Sequence, residues 1–245
     1  MNILIKLMSI VSLVIAPYIV GIGGSGDKMI TEEILKCNIN GKEFVCSSKA
    51  QCDSIMAAEG GMAMPQSLST LNGSYFVDPG HAYVDFSLSH NLSKSRGSIA
   101  IDTGVIVINP KDLKMSCVYM RMAIKTMNTQ SKDRDEHLMA NDFFHADSIP
   151  YATYEASSID SVRDGSMDYT YVAHGKLNIH GIEKDCDVWF NYNGMTEGKH
   201  ENTWSFEGMC TFNRTDFKIG KESKSLSNEV KVHFNMDTWQ EPVKK

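Results

Sequence analysis

The eight histidines are the residues of this chain that most readily suggest chemistry, because imidazole binds metals and titrates near neutral pH. Their spacing does not favour a metal site: His81 and His90 stand nine residues apart on one predicted strand, and no pair has HxH or HxxxH spacing. We therefore predict neither a metal nor a cofactor. His81 and His180 are turn histidines bonded to the backbone or, alternatively, contacts to the head group of a ligand.

Asp135 and His137 come nearest to an acid–base pair. The chain has no GxSxG nucleophile elbow, and no motif positions a second carboxylate. Helix capping explains the charged run DRDEHL without catalysis, with Asp133 as the N-cap and Glu136 three residues later. We expect a binding protein with no catalytic residue rather than an enzyme.

The six cysteines fall into two groups, Cys37, Cys46 and Cys52 before the main domain and Cys117, Cys186 and Cys210 along it. No CxxC occurs, and the first group lacks zinc-knuckle spacing. Two interpretations of the first group stay open: one disulfide, which an oxidising compartment would allow, or three unpaired small apolar residues. We expect the second group to be small core residues.

The charge of the chain is mildly acidic, with 24 Lys and Arg against 30 Asp and Glu. Such a chain has no overall basic field, which argues against nucleic acid as a partner.

Apolar residues alternate with polar ones over most of the second half of the chain. In YVDFSLSH, Val84, Phe86 and Leu88 point one way, and EVKVHFNM near the C-terminus repeats the pattern. Similar runs lie between them, separated by turn signals such as Asn193-Gly194, which gives about eight strands. This pattern predicts an all-β fold, either a sandwich or a closed barrel. An eight-stranded antiparallel barrel would have an interior just wide enough for side chains or one slim ligand.

One segment, residues 131–150, has helical rather than alternating spacing. Leu138, Met139, Phe143 and Phe144 form its apolar face, and Pro150 ends it. We predict a short helix that caps one end of the barrel.

Four motifs in this region resemble those of YceI-like domains. They are an opening pattern with Tyr75, Asp78, Pro79, His81, Val84, Phe86 and His90; RDxHL followed by FF at Arg134–Phe144; GKLNIHG at Gly175–Gly181; and RTDFKI at Arg214–Ile219. The resemblance implies a lipocalin-like barrel over residues 71–240 that binds a polyisoprenoid or another long amphiphile, usually in the periplasm. Ala82, Asn178 and Lys218 depart from the family pattern, at positions that would affect contacts at the mouth.

Two sets of residues follow as candidate ligand contacts. The apolar pocket is expected to contain Phe86, Leu88, Phe143, Phe144 and Trp204. The residues expected to contact the head group are His81, His180 and Arg214. For Arg214 the alternative is a buried ion pair with Asp216 or Asp135. The alternative function is a non-catalytic interaction domain whose barrel is filled by its own side chains, namely Met115, Met120, Met122, Trp204 and Phe206.

The N-terminal segment, residues 1–26, contains an apolar run from Leu7 to Ile22. The run is expected to form a hydrophobic helix, either a signal peptide or a membrane span, so that the protein is periplasmic or otherwise extracytoplasmic, tethered or secreted. Residues 1–23 also resemble the last transmembrane helix of membrane-bound, ion-pumping pyrophosphatases, which implies such a pump as a partner. Residues 27–70 are expected to form a linker with a small hairpin around Asn40-Gly41.

Overall fold

The computed structural model describes residues 66–162, 168–199 and 201–241, together with three short strands nearer the N-terminus. The chain divides into two compact units, Met1–Met64 and Pro65–Lys245. In the first unit, β1 (Ser12–Ala16), β2 (Ile34–Ile39) and β3 (Lys42–Cys46) form an antiparallel sheet in that order. Strands β2 and β3 pair as the hairpin expected on either side of Asn40-Gly41.

The expected N-terminal helix over Leu7–Ile22 lies mostly outside the described residues, and the part that is described, Ser12–Ala16, is a strand. The disulfide considered among Cys37, Cys46 and Cys52 and the pyrophosphatase-like stretch also fall where side chains are not described. In the described parts of the chain, no helix combines the length and the apolar character that a membrane crossing needs.

The second unit is a closed antiparallel barrel, one of the two folds that fit the alternating pattern and the one that the YceI-like motifs imply. Its strands are β4 (Gly73–His90), β5 (Ser93–Ile99), β6 (Ile101–Ile108), β7 (Cys117–Ala123), β8 (Tyr151–Ser161), β9 (Tyr171–Ile179), β10 (Ile182–Thr196), β11 (Thr203–Asn213) and β12 (Glu229–Trp239). Each strand from β6 to β12 pairs with the next, and β12 pairs with β4 to close the ring. Strand β5 extends β6 after a break at Ala100, since both pair with β4, and the barrel is therefore eight-stranded.

Alternation along the strands decides which side chains face the interior. In β12, Val230 and Met236 are buried, whereas Glu229, Lys231 and His233 are exposed. Removing the inward row from water is the main driving force for closure, at about 25 cal/mol for each Å² of apolar surface. A slip of one residue would turn the charged row inward, so this pattern also fixes the register.

The capping helix is shorter than the sequence predicts. It is α1 (Lys132–Leu138), preceded by Ser131 as N-cap, so the assignment of Asp133 as N-cap is wrong. After Met139 the chain folds back on itself, and the Phe144 N–H donates to Leu138 O at 3.1 Å. Successive helical side chains point about 100° apart. The turn instead lets Phe143 and Phe144 both face the barrel interior.

One end of the barrel, the closed end, is filled by its own aromatic side chains. The ring of Tyr75 meets Trp204 edge-on at 5.3 Å, and Tyr192 packs against Phe206 at 5.3 Å between centroids. Leu68, in the 3₁₀ turn Leu68–Thr70, is fully buried here, and its N–H donates to the Tyr171 hydroxyl at 2.9 Å. The short turn Leu68–Thr70 thus packs among these aromatic side chains.

Candidate functional site

The other half of the barrel is hollow. A cavity of about 270 Å³ lies inside it, close to the lower limit of the ~300–1,000 Å³ typical of small-molecule pockets. Every strand of the barrel contributes to its wall, for example through Val84, Ile101, Val118, Ala152, Ala173, Val188, Phe206 and Val230. The wall is overwhelmingly apolar, which is the chemistry of a site for hydrocarbon rather than for water.

Small side chains leave the space open. Ala152 of β8 and Ala173 of β9 are buried on the cavity wall, at positions where a large residue would fill the interior. Across the barrel, the inward-facing Phe86 and Phe234 are only half-buried although they belong to apolar rows. Their exposed surface faces the cavity, so apolar surface is left without a protein partner.

Two exposed arginines mark the mouth of the cavity. Among the lining residues, Arg96 of β5 and Arg134 of α1 are the exposed ones, whereas the rest are buried or half-buried. The connection between β11 and β12 also reaches the mouth, where Leu226 pairs with His90 of β4. The mouth therefore lies between the β4–β5 hairpin, α1 and the β11–β12 connection.

Hydrogen bonds hold one lip of the mouth in place. The Arg134 Nε donates to Thr129 Oγ1 at 2.7 Å, and its Nη2 donates to Thr129 O at 2.6 Å. The Asp135 carboxylate accepts from the N–H of Thr129 at 2.9 Å and from its hydroxyl at 2.5 Å. Asp135 thus ties α1 to the preceding segment.

Arg214 is a buried cation on the cavity wall. Its guanidinium donates to Ser227 O at 3.0 Å, to Ile219 O at 2.9 Å and to Asn228 Oδ1 at 3.1 Å. The ion pair with Asp216 or Asp135 is thus wrong, because backbone and amide oxygens take the N–H groups. Desolvation by burial lowers the pKa of the guanidinium, and the charge of Glu222 acts in the opposite direction.

The charges around the cavity are of one sign. Arg96, Arg134 and Arg214 line it, and among the described residues no aspartate or glutamate does. In a chain with a net charge of −6, the two exposed arginines, Arg96 and Arg134, favour an anionic or electron-rich group near the mouth.

The structure brings together four of the five residues expected in the apolar pocket. Phe86 and Leu88 reach the cavity from β4, and Phe143 and Phe144 reach it from the turn after α1. Their contact with a ligand stays a prediction.

Trp204 does not line the cavity. It lies near the start of β11, paired with Thr238, where the closed end is filled by Tyr75 and its neighbours. Phe206, two residues further along the same strand face, reaches the floor of the cavity. Alternation shows that both face inward but does not show how far along the barrel the hollow part begins.

The two histidines lie away from the cavity wall. His81 is exposed and its Nδ1 lies 2.7 Å from Asp78 Oδ2, an interaction that raises the pKa of His81 and lowers that of Asp78. His180, in the turn between β9 and β10, donates from Nδ1 to Phe217 O at 3.2 Å. For His180 the turn interpretation is therefore the one the geometry matches.

The side chains proposed to fill the barrel are divided between its two halves. Trp204 and Phe206 belong to the filled half, and Met120 and Met122 line the cavity rather than closing it. Met115 is wrong as a core residue, because it is 69% exposed in the turn before β7. The hypothesis of a barrel filled by its own side chains therefore fits one end of the barrel only.

A pair of thiols that the sequence did not single out lies in the barrel wall. Cys186 of β10 and Cys210 of β11 are buried, and Cys210 also lines the cavity. The interaction with the neighbouring thiol lowers the pKa of Cys186 and raises that of Cys210, and burial also raises the pKa of Cys210. Cys117, by contrast, is exposed, so the expectation that all three are core residues is wrong for it.

The chain is similar to known proteins in both sequence and fold. A family model described as YceI-like domain matches residues 75–238. A UPF0312 protein of Pseudomonas savastanoi pv. phaseolicola is 26% identical over 188 residues, which cover 72% of this chain and 94% of that protein.

Two solved structures are also similar. BcnA of Burkholderia cenocepacia aligns with a TM-score of 0.52 at 19% identity, covering 66% of this chain and 98% of BcnA. A polyisoprenoid binding domain from Saccharophagus degradans aligns with a TM-score of 0.48 at 11% identity, covering 70% of this chain and 100% of that domain.

Proposed function

This chain belongs to the YceI-like domain family, and we propose that its barrel binds, sequesters or carries a polyisoprenoid or similar long amphiphilic lipid in the cell envelope. The observation that carries the proposal is the shape of the interior: an apolar cavity, filled in at one end and bordered by arginines at the other. A long hydrocarbon chain would lie with its tail toward Phe206 and its head near Arg96 and Arg134.

Transfer energies set what such a site must achieve. Burying a chain of some forty carbons from water at ~0.8 kcal/mol per methylene would exceed the practical affinity limit near −20 kcal/mol. The real competitor is the bilayer, which already shelters the chain from water. Selectivity must therefore come from the fit of the tail and from polar contacts of the head at the mouth.

We also propose that the barrel is not catalytic. The buried hydrogen-bonding groups on the cavity wall are already committed to structural bonds, for example Arg214 to carbonyl and amide oxygens and the Tyr154 hydroxyl to Ala173 O at 2.9 Å. No buried side-chain nitrogen or oxygen of the described residues lacks a hydrogen-bond partner. General acid–base or nucleophilic catalysis needs a group that is free to react, and this wall offers a surface for binding instead.

Native mass spectrometry of the purified chain, followed by lipid extraction, tests the proposal. We expect a co-purified long-chain lipid. Val84→Trp places a large ring in the cavity and should strongly reduce the amount of lipid bound. Tyr83→Trp is the matched control, because Tyr83 is the preceding residue on β4 and is 64% exposed on the outer face.

Two results would contradict the proposal. Wild-type protein that neither carries nor takes up any long-chain lipid would leave the interaction domain as the better account. Equal lipid content in the Val84→Trp and Tyr83→Trp proteins, both with a retained β-sheet circular dichroism spectrum, would place the ligand outside the cavity.

A further inference from the structure

The tip of the β4–β5 hairpin carries an exposed apolar side chain with no local structural reason. Asn91 and Leu92 form the turn between His90 and Ser93, and Asn91 takes the left-handed conformation with φ at 50°. Leu92 is fully exposed. A single exposed leucine is common on protein surfaces, so its meaning depends on what surrounds it.

Cations surround this leucine. Lys94 and Arg96 follow it on β5, and the Asn91 N–H donates to Ser225 O at 2.7 Å, which brings the neighbouring Lys224 to the same tip. Residues 88–96 and 221–228 together carry Lys94, Arg96, Lys221 and Lys224 against the single acid Glu222. The facing helix α1 has three acids and two cations, so the positive surface is confined to the hairpin side of the mouth.

This tip is continuous with the mouth of the cavity. Leu88, Ser95 and Arg96 line the cavity immediately behind the turn, and Leu226 lines it from the strand segment that pairs with the hairpin. An object held at the tip therefore lies beside the opening through which a ligand must pass.

We propose that the hairpin tip, defined as Leu92, Lys94, Arg96 and Lys224, docks on an anionic membrane surface. Leu92 enters the boundary between head groups and acyl chains, and the three cations contact lipid phosphates. An apolar residue among cations is the combination that interfacial membrane binding requires. The chain as a whole carries a net charge of −6, but this local positive patch is complementary in charge to an anionic lipid surface. The docked barrel would present its mouth to the bilayer.

Tryptophan quenching in the full-length chain tests this docking. Leu92→Trp reports insertion through quenching by brominated phosphatidylglycerol vesicles, after subtraction of the signal of the native tryptophans. Met115→Trp is the matched control, because Met115 is also an exposed apolar residue but lies at the opposite end of the barrel. We expect quenching for Leu92→Trp and none for Met115→Trp. The N-terminal apolar run is present in both proteins, so their difference reports on the hairpin.

Charge removal tests the second half of the proposal. In the Leu92→Trp protein, Lys94→Gln with Lys224→Gln should weaken vesicle binding at the tip by about 25-fold, from about fivefold for each cation. Lys111→Gln with Lys114→Gln removes the same charge near Met115 and should change nothing. Equal quenching at both ends, no quenching at either end, or equal binding to phosphatidylcholine vesicles would overturn the proposal. Lipid content measured by extraction is independent of this readout, so a failure here leaves the cavity proposal intact.

Discussion

Arg134 and Thr129 are joined by two hydrogen bonds, from Nε to the hydroxyl at 2.7 Å and from Nη2 to the carbonyl at 2.6 Å. Asp135 accepts from the same threonine on its other side. Thr129 is buried, and a helix of seven residues has little stability of its own. These bonds therefore fix α1 as one lip of the cavity.

We predict that Asp135→Ala destabilises the protein by about 1.5–3 kcal/mol, the usual contribution of hydrogen bonds to a charged group. Urea denaturation followed by circular dichroism measures the change. Glu136→Ala is the matched control: this exposed side chain contacts Lys132 at 3.7 Å, and its loss should cost less than about 1 kcal/mol. Equal effects of the two substitutions would show that Thr129 does not hold the lip.

Arg214→Ala should lower the free energy of unfolding by about 3 kcal/mol, because three buried or part-buried acceptors lose a charged donor. Its effect on lipid binding should then be the same for anionic and neutral lipids of equal chain length. Arg96→Ala, at an exposed position on the same cavity, should change stability by less than about 0.5 kcal/mol. A selective loss of anionic lipid in Arg214→Ala, with stability retained, would identify Arg214 as a head-group contact instead.

The three barrel cysteines should differ sharply in reactivity. In the folded protein, iodoacetamide should modify the exposed Cys117 quickly, whereas the buried Cys186 and Cys210 should react only after unfolding. Peptide mapping by mass spectrometry measures each site separately. Rapid modification of Cys210 in the folded, lipid-free protein would mean that the cavity is far more open than the structure shows.

His81 should titrate above its ordinary pKa in NMR spectra, because the Asp78 carboxylate stabilises the protonated ring. Asp78→Asn should return the midpoint to the ordinary value. The contribution of the pair to stability is present when His81 is protonated and is lost as the pH rises through its raised pKa. It is also lost in acid, as the pH falls through the lowered pKa of Asp78.

This contribution should be small, since both groups are exposed to solvent. An unshifted His81 midpoint in the wild-type protein would contradict the pairing seen in the structure.

The all-β fold could be predicted from the sequence because period-two alternation is a local property. Alternation alone fits a sandwich as well as a closed barrel, and the YceI-like motifs favoured the barrel. The same alternation correctly predicted that Phe86 and Leu88 face the interior of the barrel. It could not separate Trp204 from Phe206, because both face inward and depth along the barrel depends on residues from other strands, such as Tyr75. Long-range packing, which no local pattern records, decides where the filled end stops.

The helix, Lys132–Leu138, is shorter than the sequence predicts for a related reason. Apolar spacing at Leu138, Met139, Phe143 and Phe144 fits a helical face, yet it fits a chain that turns back to the barrel equally well. The left-handed backbone of His145, with φ at 48°, belongs to the second arrangement. The acidic partners expected for Arg214 are wrong because a sequence shows where the acidic residues are, but it does not show which backbone carbonyl groups will lie next to a side chain.

Within the described part of the chain, aromatic packing fills one end of the barrel and leaves the cavity open toward the mouth between the β4–β5 hairpin, α1 and the β11–β12 connection. Under the proposed function, a chain-like ligand would not thread through the barrel and would back out along the path by which it entered. The portion that enters first would then be the last to leave, and the same end of every ligand would face the outside while it is bound. The barrel would discriminate between the two ends of a molecule, and it would gauge length, since any chain longer than the cavity must protrude among Arg96, Arg134 and the hairpin tip.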